Sequence, residues 1–274
     1  MKLAQALDQA QARRLERLDA QMLLLHALGR SAHDRAWLLA HDTDPLAAPA
    51  LAAFEAYVQR RCGGEPLAYI TGNKEFYGLD LKVDARVLVP RPDTETLVEW
   101  ALAVLAETPA ATVLDLGTGS GAIALALKAS RPDLTVHAID FSEAALVVAR
   151  ANAKRLRLDV AFEHGSWLAG VTGRYQLIVS NPPYIPDQDR HLAQLVHEPR
   201  EALSAGADGL ADLRRIIAQA SSRLEGGGWL LLEHGYDQAD SVRRLLHHAG
   251  FHSVQSQRDL SGIERCSGGH VAPP

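Results

Sequence analysis

The sequence predicts an α/β protein: a doubly wound, mostly parallel sheet preceded by a small N-terminal helical domain and a β-hairpin linker. Three observations carry this prediction. From residue 112 onward, short apolar runs alternate with helix-length amphipathic segments, the pattern of repeated strand–helix units feeding a parallel sheet. A glycine-rich turn at residues 117–121 joins the first of these runs to the first helix. Before residue 65 the apolar spacing is helical, and residues 66–89 hold short apolar runs broken by Gly72, Asn73 and Gly78. The expected domains are therefore a helical domain over residues 1–64, a hairpin linker over 65–90, and the α/β sheet over 91–274.

Leu15, Leu18, Met22 and Leu25 recur at helical spacing and give one apolar stripe ending at Gly29. Leu51, Phe54 and Val58 give a second, stopped by Gly63 and Gly64. A helix carrying Leu97, Val98, Ala101 and Leu105 follows Asp93 and Thr94, either of which suits an N-cap. Residues 112–116 read as a strand, 122–128 as a helix, and 135–139 as a second strand ending at Asp140. Ser142 suits the N-cap of a helix through Arg155. Residues 160–162 and 176–180 are the next strands, the latter ending at Asn181. An irregular stretch over 185–208 precedes a helix through Glu225. Gly226, Gly227 and Gly228 then lead into a strand over 229–233, a helix over 241–249, and strands over 252–258 and 263–271.

Composition narrows the function. The 274 residues are 47% hydrophobic and 22% charged, enough apolar content to build a packed core. The apolar runs at 22–25 and 230–232 are far shorter than a membrane span, so no membrane association is expected. The opening MKLAQALDQAQARR lacks the unbroken apolar stretch of a secretory signal. Cys62 and Cys266 have no paired spacing, which excludes a disulfide framework and fits a reducing, cytoplasmic setting. With 28 basic against 33 acidic residues the net charge is -5, and no basic stripe favours nucleic acid. None of the 12 histidines stands in an HxH or HExxH arrangement, and adjacent His247 and His248 cannot share a helix face. No metal site is expected.

Two segments carry chemistry. In Asp115-Leu-Gly-Thr-Gly-Ser-Gly121, glycines 117, 119 and 121 follow a strand and open a helix. They let backbone approach a ligand closely and expose N–H groups towards its negative part. Asp140 ends the next strand, where a carboxylate can accept two hydrogen bonds from a ribose diol. Gly117, Gly119 and Ala122 equally satisfy the dinucleotide form of this turn, so a nicotinamide oxidoreductase stays open at this point.

Asn181-Pro182-Pro183-Tyr184 separates the two readings. It sits where the fourth strand's carboxyl end meets the ligand. Each proline fixes its own φ and biases the preceding residue towards extended geometry, so the loop is stiff. It offers a side-chain amide, carbonyl acceptors and the flat face of Tyr184, which together suit a planar NH2 group. An amide nitrogen is a weak nucleophile because its lone pair is delocalised. Holding both of its N–H groups on fixed acceptors aims that lone pair at an electrophilic methyl group, and positioning does most of the catalysis. A nicotinamide enzyme would leave this loop without a role.

These residues resemble a known family. DLGTGSGAIALAL at 115–127, ID at 139–140 and SNPPYI at 180–185 resemble a class I S-adenosylmethionine-dependent methyltransferase. GEPLAYITGNKEFYGL at 64–79, LVPRPDTE at 88–95, HEPREAL at 197–203 and LLLEHG at 230–235 narrow the resemblance to the PrmC/HemK family, the peptide chain release factor glutamine N5-methyltransferases. The resemblance implies a Rossmann-like sheet of seven strands with the last one antiparallel. It also implies methyl transfer from S-adenosyl-L-methionine to the glutamine side chain of the Gly-Gly-Gln motif in class 1 release factors, within translation termination. Gly117, Thr118, Gly119, Ser120, Gly121 and Asp140 would bind the cofactor, with Trp167 beside its adenine. Asn181 would touch both cofactor and substrate. Pro182, Pro183 and Tyr184 would complete the glutamine pocket, with Asn181, Pro182 and Tyr184 as the catalytic set. The helical domain would dock the release factor, and a monomer is expected. Arg91, Asp93 and Glu95 would line the cofactor side, while Glu198 suits either a structural ion pair or substrate contact. The C-terminal GGHVAPP departs from the family's ending.

Three other readings compete. An amino methyltransferase acting on adenine N6 in a nucleic acid shares the acceptor loop but would need a basic surface. An oxidoreductase explains only the glycines and Asp140. A non-catalytic adaptor would not need Asn181 and Asp140 together.

Overall fold

The computed structural model describes residues 1–273, which fall into two units, Met1–Asn73 and the remainder from Lys74. The first unit holds five helices: α1 Leu3–Ala12, α2 Arg17–Ala27, α3 Arg35–Ala40, α4 Ala48–Cys62 and α5 Leu67–Thr71. Helix α2 is their centre, touching each of the other four. Its buried face is accordingly wider than the stripe expected from spacing. Ala20, Gln21 and the consecutive leucines 23, 24 and 25 are buried, whereas Leu18 is 46% exposed. A helix enclosed on several sides is apolar on several sides, which single-stripe periodicity does not register. Phe54 and Val58 of α4 close this core, and the Arg61 guanidinium reaches Asp19 of α2 at 2.7 Å.

Residues 66–89 are only partly the expected hairpin. Helix α5 comes first, ended by Gly72 in the left-handed conformation (φ 71°), as helix C-termini favour. Strands β1 Asn73–Phe76 and β2 Leu79–Lys82 follow, joined by Tyr77 and Gly78 at φ 49° and 75°. Two positive φ values in a two-residue turn match the right-handed twist of the strands. The Tyr77 N–H donates to the Glu95 carboxylate at 3.0 Å, so Glu95 anchors this turn and does not face a ligand.

The sheet contains β3 Thr112–Leu116, β4 Thr135–Asp140, β5 Ala161–His164, β6 Tyr175–Ser180, β7 Leu224–Glu233, β8 His252–Arg258 and β9 Glu264–His270. Their order is β5-β4-β3-β6-β7-β9-β8, and β9 runs antiparallel to both of its neighbours. Helices α6 Glu95–Val104, α7 Ala122–Ser130 and α8 Glu143–Leu156 cover one face together with the hairpin. Helices α9 Ala211–Ala220 and α10 Ala239–His248 cover the other. Alternation divides the strands between these layers: Val113, Leu177, Val179 and Leu231 face the first, and Leu114, Ile178, Leu230 and Leu232 the second. The chain moves outward from β3 through β4 to β5, then returns to β6 on β3's other side. That reversal leaves a crevice at the carboxyl ends of β3 and β6, where such sheets bind ligands.

One boundary differs from expectation. Helix α9 stops at Ala220, and β7 begins at Leu224, so the three glycines lie inside the strand. Pairing with β6 passes from Tyr175–Leu224 directly to Leu177–Trp229, which places the glycines in a bulge. A Cβ on Gly228 would sit 2.9 Å from the Tyr175 carbonyl oxygen, so the close approach of backbones requires glycine there. Among the described residues no helix is long and apolar enough to cross a membrane, and no cluster of side chains could hold a metal ion.

Candidate active site

The glycine-rich turn is secured from the next strand. The N–H groups of Gly117 and Thr118 both donate to the Ile139 carbonyl, at 2.8 and 3.1 Å. Gly117, Gly119 and Gly121 all have positive φ, which L side chains resist. Gly121 also permits close helix packing, since a Cβ there would stand 3.0 Å from Leu125 Cδ1 and 3.4 Å from Ala149. Thr118 and Ser120 are buried, and the Thr118 hydroxyl donates to Asp115 Oδ2 at 2.7 Å. Neither Thr118 nor Ser120 lines the crevice, which Gly117 and Gly119 do.

Asp140 is bound to the same loop. Its Oδ2 accepts from the Gly119 N–H at 2.7 Å and its Oδ1 from the Ser142 N–H at 2.8 Å. Burial raises its pKa, and those two donors oppose the shift. Asp115, fully buried below the loop, is pushed up to about 7 by desolvation, and its Oδ1 has no hydrogen-bond partner. Trp167, at φ 51°, lies against Gly117, where an added Cβ would come within 3.2 Å of the indole. The indole N–H donates to Asp212 at 2.9 Å, which fixes the ring plane.

These groups wall a cleft enclosing about 730 Å³, partly open to solvent. Gly117, Gly119, Asp140, Trp167, Asn181 and Pro183 all line it. So do Val87, Phe141 and Ala202, which sequence reasoning did not single out. Phe141 is 71% exposed directly after Asp140, and an aromatic that open beside a strand-end carboxylate is a recognisable signal for a stacking partner.

A second cavity of about 400 Å³ adjoins it, lined by Leu88, Arg91, Tyr184, Ile185, Leu195 and Leu203 among others. Asn181 borders both cavities. Its loop is rigidly seated: the Tyr184 carbonyl accepts from Gln238 Nε2 at 3.0 Å, and Gly209 passes so close that a Cβ would lie 2.2 Å from the same oxygen. Tyr184 is held neutral by burial, which raises its pKa strongly. Pro182 is buried and lines neither cavity.

The remaining candidate residues resolve into supports. Arg91 pairs with buried Glu198 at 2.5 Å, and Glu198 also accepts from the Val89 N–H at 3.0 Å, so this carboxylate ties the 197–203 loop to the cavity rim. Asp93 faces Arg265 at 3.3 Å. Neither Asp93 nor Thr94 caps α6 through its side chain. The Thr94 hydroxyl instead accepts from Asn181 Nδ2 at 3.3 Å.

Known proteins resemble this chain in sequence and fold. Residues 94–211 match the methyltransferase small domain, and residues 2–72 match the PrmC N-terminal domain. The release factor glutamine methyltransferase of Coxiella burnetii is 50% identical over 91% of this chain and 90% of its own. That of Bordetella pertussis is 52% identical over 94% and 96%, and that of Escherichia coli K12 is 43% identical over 96% and 95%. The fold also recurs in a Pyrococcus furiosus methyltransferase, with a TM-score of 0.54 at 18% identity over 80% of this chain and 98% of that one. It recurs again in the ribosomal protein L11 methylase of Lactobacillus delbrueckii subsp. bulgaricus, with a TM-score of 0.51 at 24% identity over 70% and 84%. With relatives this similar along nearly its whole length, the chain belongs to the release factor glutamine methyltransferase family.

Proposed function

We propose that this enzyme transfers a methyl group from S-adenosyl-L-methionine to the side-chain amide nitrogen of the glutamine in the Gly-Gly-Gln motif of class 1 release factors. The observation that carries the reading is Asn181 standing in the wall shared by two adjoining cavities. The larger one fits the cofactor. Gly117 and Gly119 allow close approach without a Cβ, the Asp140 carboxylate suits a ribose diol, and Phe141 and Trp167 offer flat faces. When bound there, S-adenosylmethionine supplies an electrophilic methyl group on a sulfonium.

The protein's part is positional. Asn181 Oδ1 and the Pro182 carbonyl accept the two N–H groups of the glutamine amide, which turns its lone pair towards the cofactor cleft. The tertiary amides of the two prolines present no N–H that would compete for the acceptors. Tyr184 and Leu203 wall the pocket and exclude water. No side chain needs to remove a proton before transfer, since the nitrogen releases one after it has gained the methyl group. We assign docking of the release factor to the helical domain, residues 1–64, and expect a monomer working in the cytoplasm.

Incubation of the purified chain with labelled S-adenosylmethionine tests the reading. Label on a class 1 release factor, and none on adenine-containing DNA or RNA, is the expected result. Label on nucleic acid alone would replace the release factor with a base as acceptor.

A further inference from the structure

An asparagine side chain presents an acceptor and a donor of nearly equal shape, and a half-turn about its last bond exchanges them. A substrate amide offering two N–H groups requires the acceptor. Turned the other way, Asn181 would point donors at donors and hold nothing. Neither the proline-rich loop nor the backbone decides this orientation, so another group must.

Two side chains from distant segments meet the far side of the Asn181 amide. Thr94, in the turn before α6 and 4% exposed, lies 3.3 Å from Nδ2 through its hydroxyl oxygen. Glu233, the last residue of β7 and 1% exposed, lies near enough to the Thr94 hydroxyl and the Asn181 amide for both to favour its charged form. Its Oε2 is buried without a hydrogen-bond partner. Once ionised, above about pH 7, the Glu233 carboxylate only accepts hydrogen bonds, and a threonine hydroxyl donates one and accepts others. The hydroxyl proton of Thr94 is therefore drawn to Glu233, which leaves the Thr94 lone pairs to face Asn181. Against two acceptors, only the NH2 end of the Asn181 amide is satisfied.

We infer that Thr94 and Glu233 are positioning residues that fix the Asn181 amide with Nδ2 inward and Oδ1 towards the acceptor pocket. Burying a carboxyl with an unpartnered oxygen is costly. Mere filling of the β7 end would be met by an apolar side chain at lower cost. The charged and titratable groups around Glu233 are Asp93 on the turn before α6, Arg265 and Cys266 on β9, and Tyr184 on the acceptor loop. Arg265 is engaged by Asp93 and Asp259, at 3.3 and 3.0 Å, which leaves Glu233 free to serve Thr94 and Asn181.

This inference rests on the methyl-transfer reading and is tested with the full-length enzyme, S-adenosylmethionine and a release factor. Glu233→Gln offers a donor as well as an acceptor, so the direction of the chain is lost. Thr94→Val removes its middle link. Each is expected to lower kcat by about tenfold or more, while KM for the release factor and S-adenosylhomocysteine affinity by calorimetry stay within about twofold. The double variant should be no slower than the worse single one, because both residues serve one orientation. Thr94→Ser, which keeps the hydroxyl, should restore most of the rate. Should Glu233→Gln fail to fold, the Thr94 pair alone decides. A wild-type kcat in both variants, losses that follow melting temperature alone, or multiplicative losses in the double variant would overturn the inference. A wild-type enzyme that methylates no release factor would remove the underlying reading and this inference with it.

Discussion

The two cavities that meet at Asn181 are built in contrasting ways. The glycine loop and Asp140 in the cofactor cleft rest on two neighbouring strand ends held together through backbone. Both Asp140 oxygens are satisfied by backbone N–H groups of Gly119 and Ser142, and the loop carrying Gly119 hangs from the strand that Asp140 ends. The acceptor cavity draws its walls and supports from residues 88–94, 181–185, 195–203 and 233. Its decisive contacts are between side chains far apart in sequence. A site made by local backbone geometry tolerates change in distant segments, whereas a site assembled from side chains depends on each of them.

Substitutions on the two sides should therefore separate binding from transfer. The largest effect is expected from Asn181→Ala, which removes the shared acceptor. Single-turnover transfer should fall by about 10²–10³, the range for loss of one preorganised polar contact at a reacting group, with melting temperature nearly unchanged. A drop in cofactor affinity as large as the drop in rate would erase the distinction between the cavities. Asp140→Ala should act in the opposite sense. Calorimetry with S-adenosylhomocysteine should show affinity reduced about 10–100-fold, as expected for loss of charge-assisted hydrogen bonds worth about 1.5–3 kcal/mol. Rates at saturating cofactor should change far less.

Smaller effects sharpen the contrast through backbone. Gly117→Ala places a Cβ 3.2 Å from the Trp167 ring at φ 71°. It should cost about 1–2 kcal/mol from the left-handed conformation, read as a several-fold weaker cofactor affinity in the same calorimetric titration. Gly209→Ala would press on the Tyr184 carbonyl instead and should lower transfer before it lowers cofactor affinity.

The smallest expected effect concerns pH. Burial lifts Glu233 from 4.5 to about 7. As pH rises through this interval, the unfolded chain gives up its proton first and the folded chain retains it, so this group's contribution to stability falls between about pH 4.5 and 7. At most it amounts to about 3 kcal/mol. Glu233→Gln removes it. The melting temperature of the variant relative to wild type should rise from pH 5 to pH 8, and a constant difference would show that Glu233 ionises normally.

What could be read from sequence follows the same division. The glycine turn, Asp140 and the Ser142 cap, whose hydroxyl accepts from the Ala145 N–H, are all short-range features with signals in adjacent residues. The alternating strands and helices were legible from periodicity, and the seven-stranded count with its antiparallel last strand came from the family resemblance, whereas the strand order appears only in the fold. Helices α3 and α5 were not separately legible, because they are six and five residues long and carry no side-chain cap bonds. The buried side of α2 was misjudged at Leu18 because packing on several sides leaves no single stripe. Asp93 and Thr94 read as caps because a threonine before a helix usually is one. Thr94 instead serves Asn181 across 87 residues, and no local pattern announces a contact of that range. Glu95 and Glu198 were ambiguous for the same reason: their partners, the N–H groups of Tyr77 and Val89, lie 18 and 109 positions away.

The central claim is that the acceptor pocket holds a planar amide and directs its nitrogen at the methyl group. Fragmentation mass spectrometry of a release factor methylated by the wild-type enzyme tests it most directly, because it reads the acceptor atom itself. The expected result is a single added methyl on the side-chain amide nitrogen of the Gly-Gly-Gln glutamine. A methyl on any other residue, or on the backbone, would contradict the geometry assigned to Asn181 and its loop.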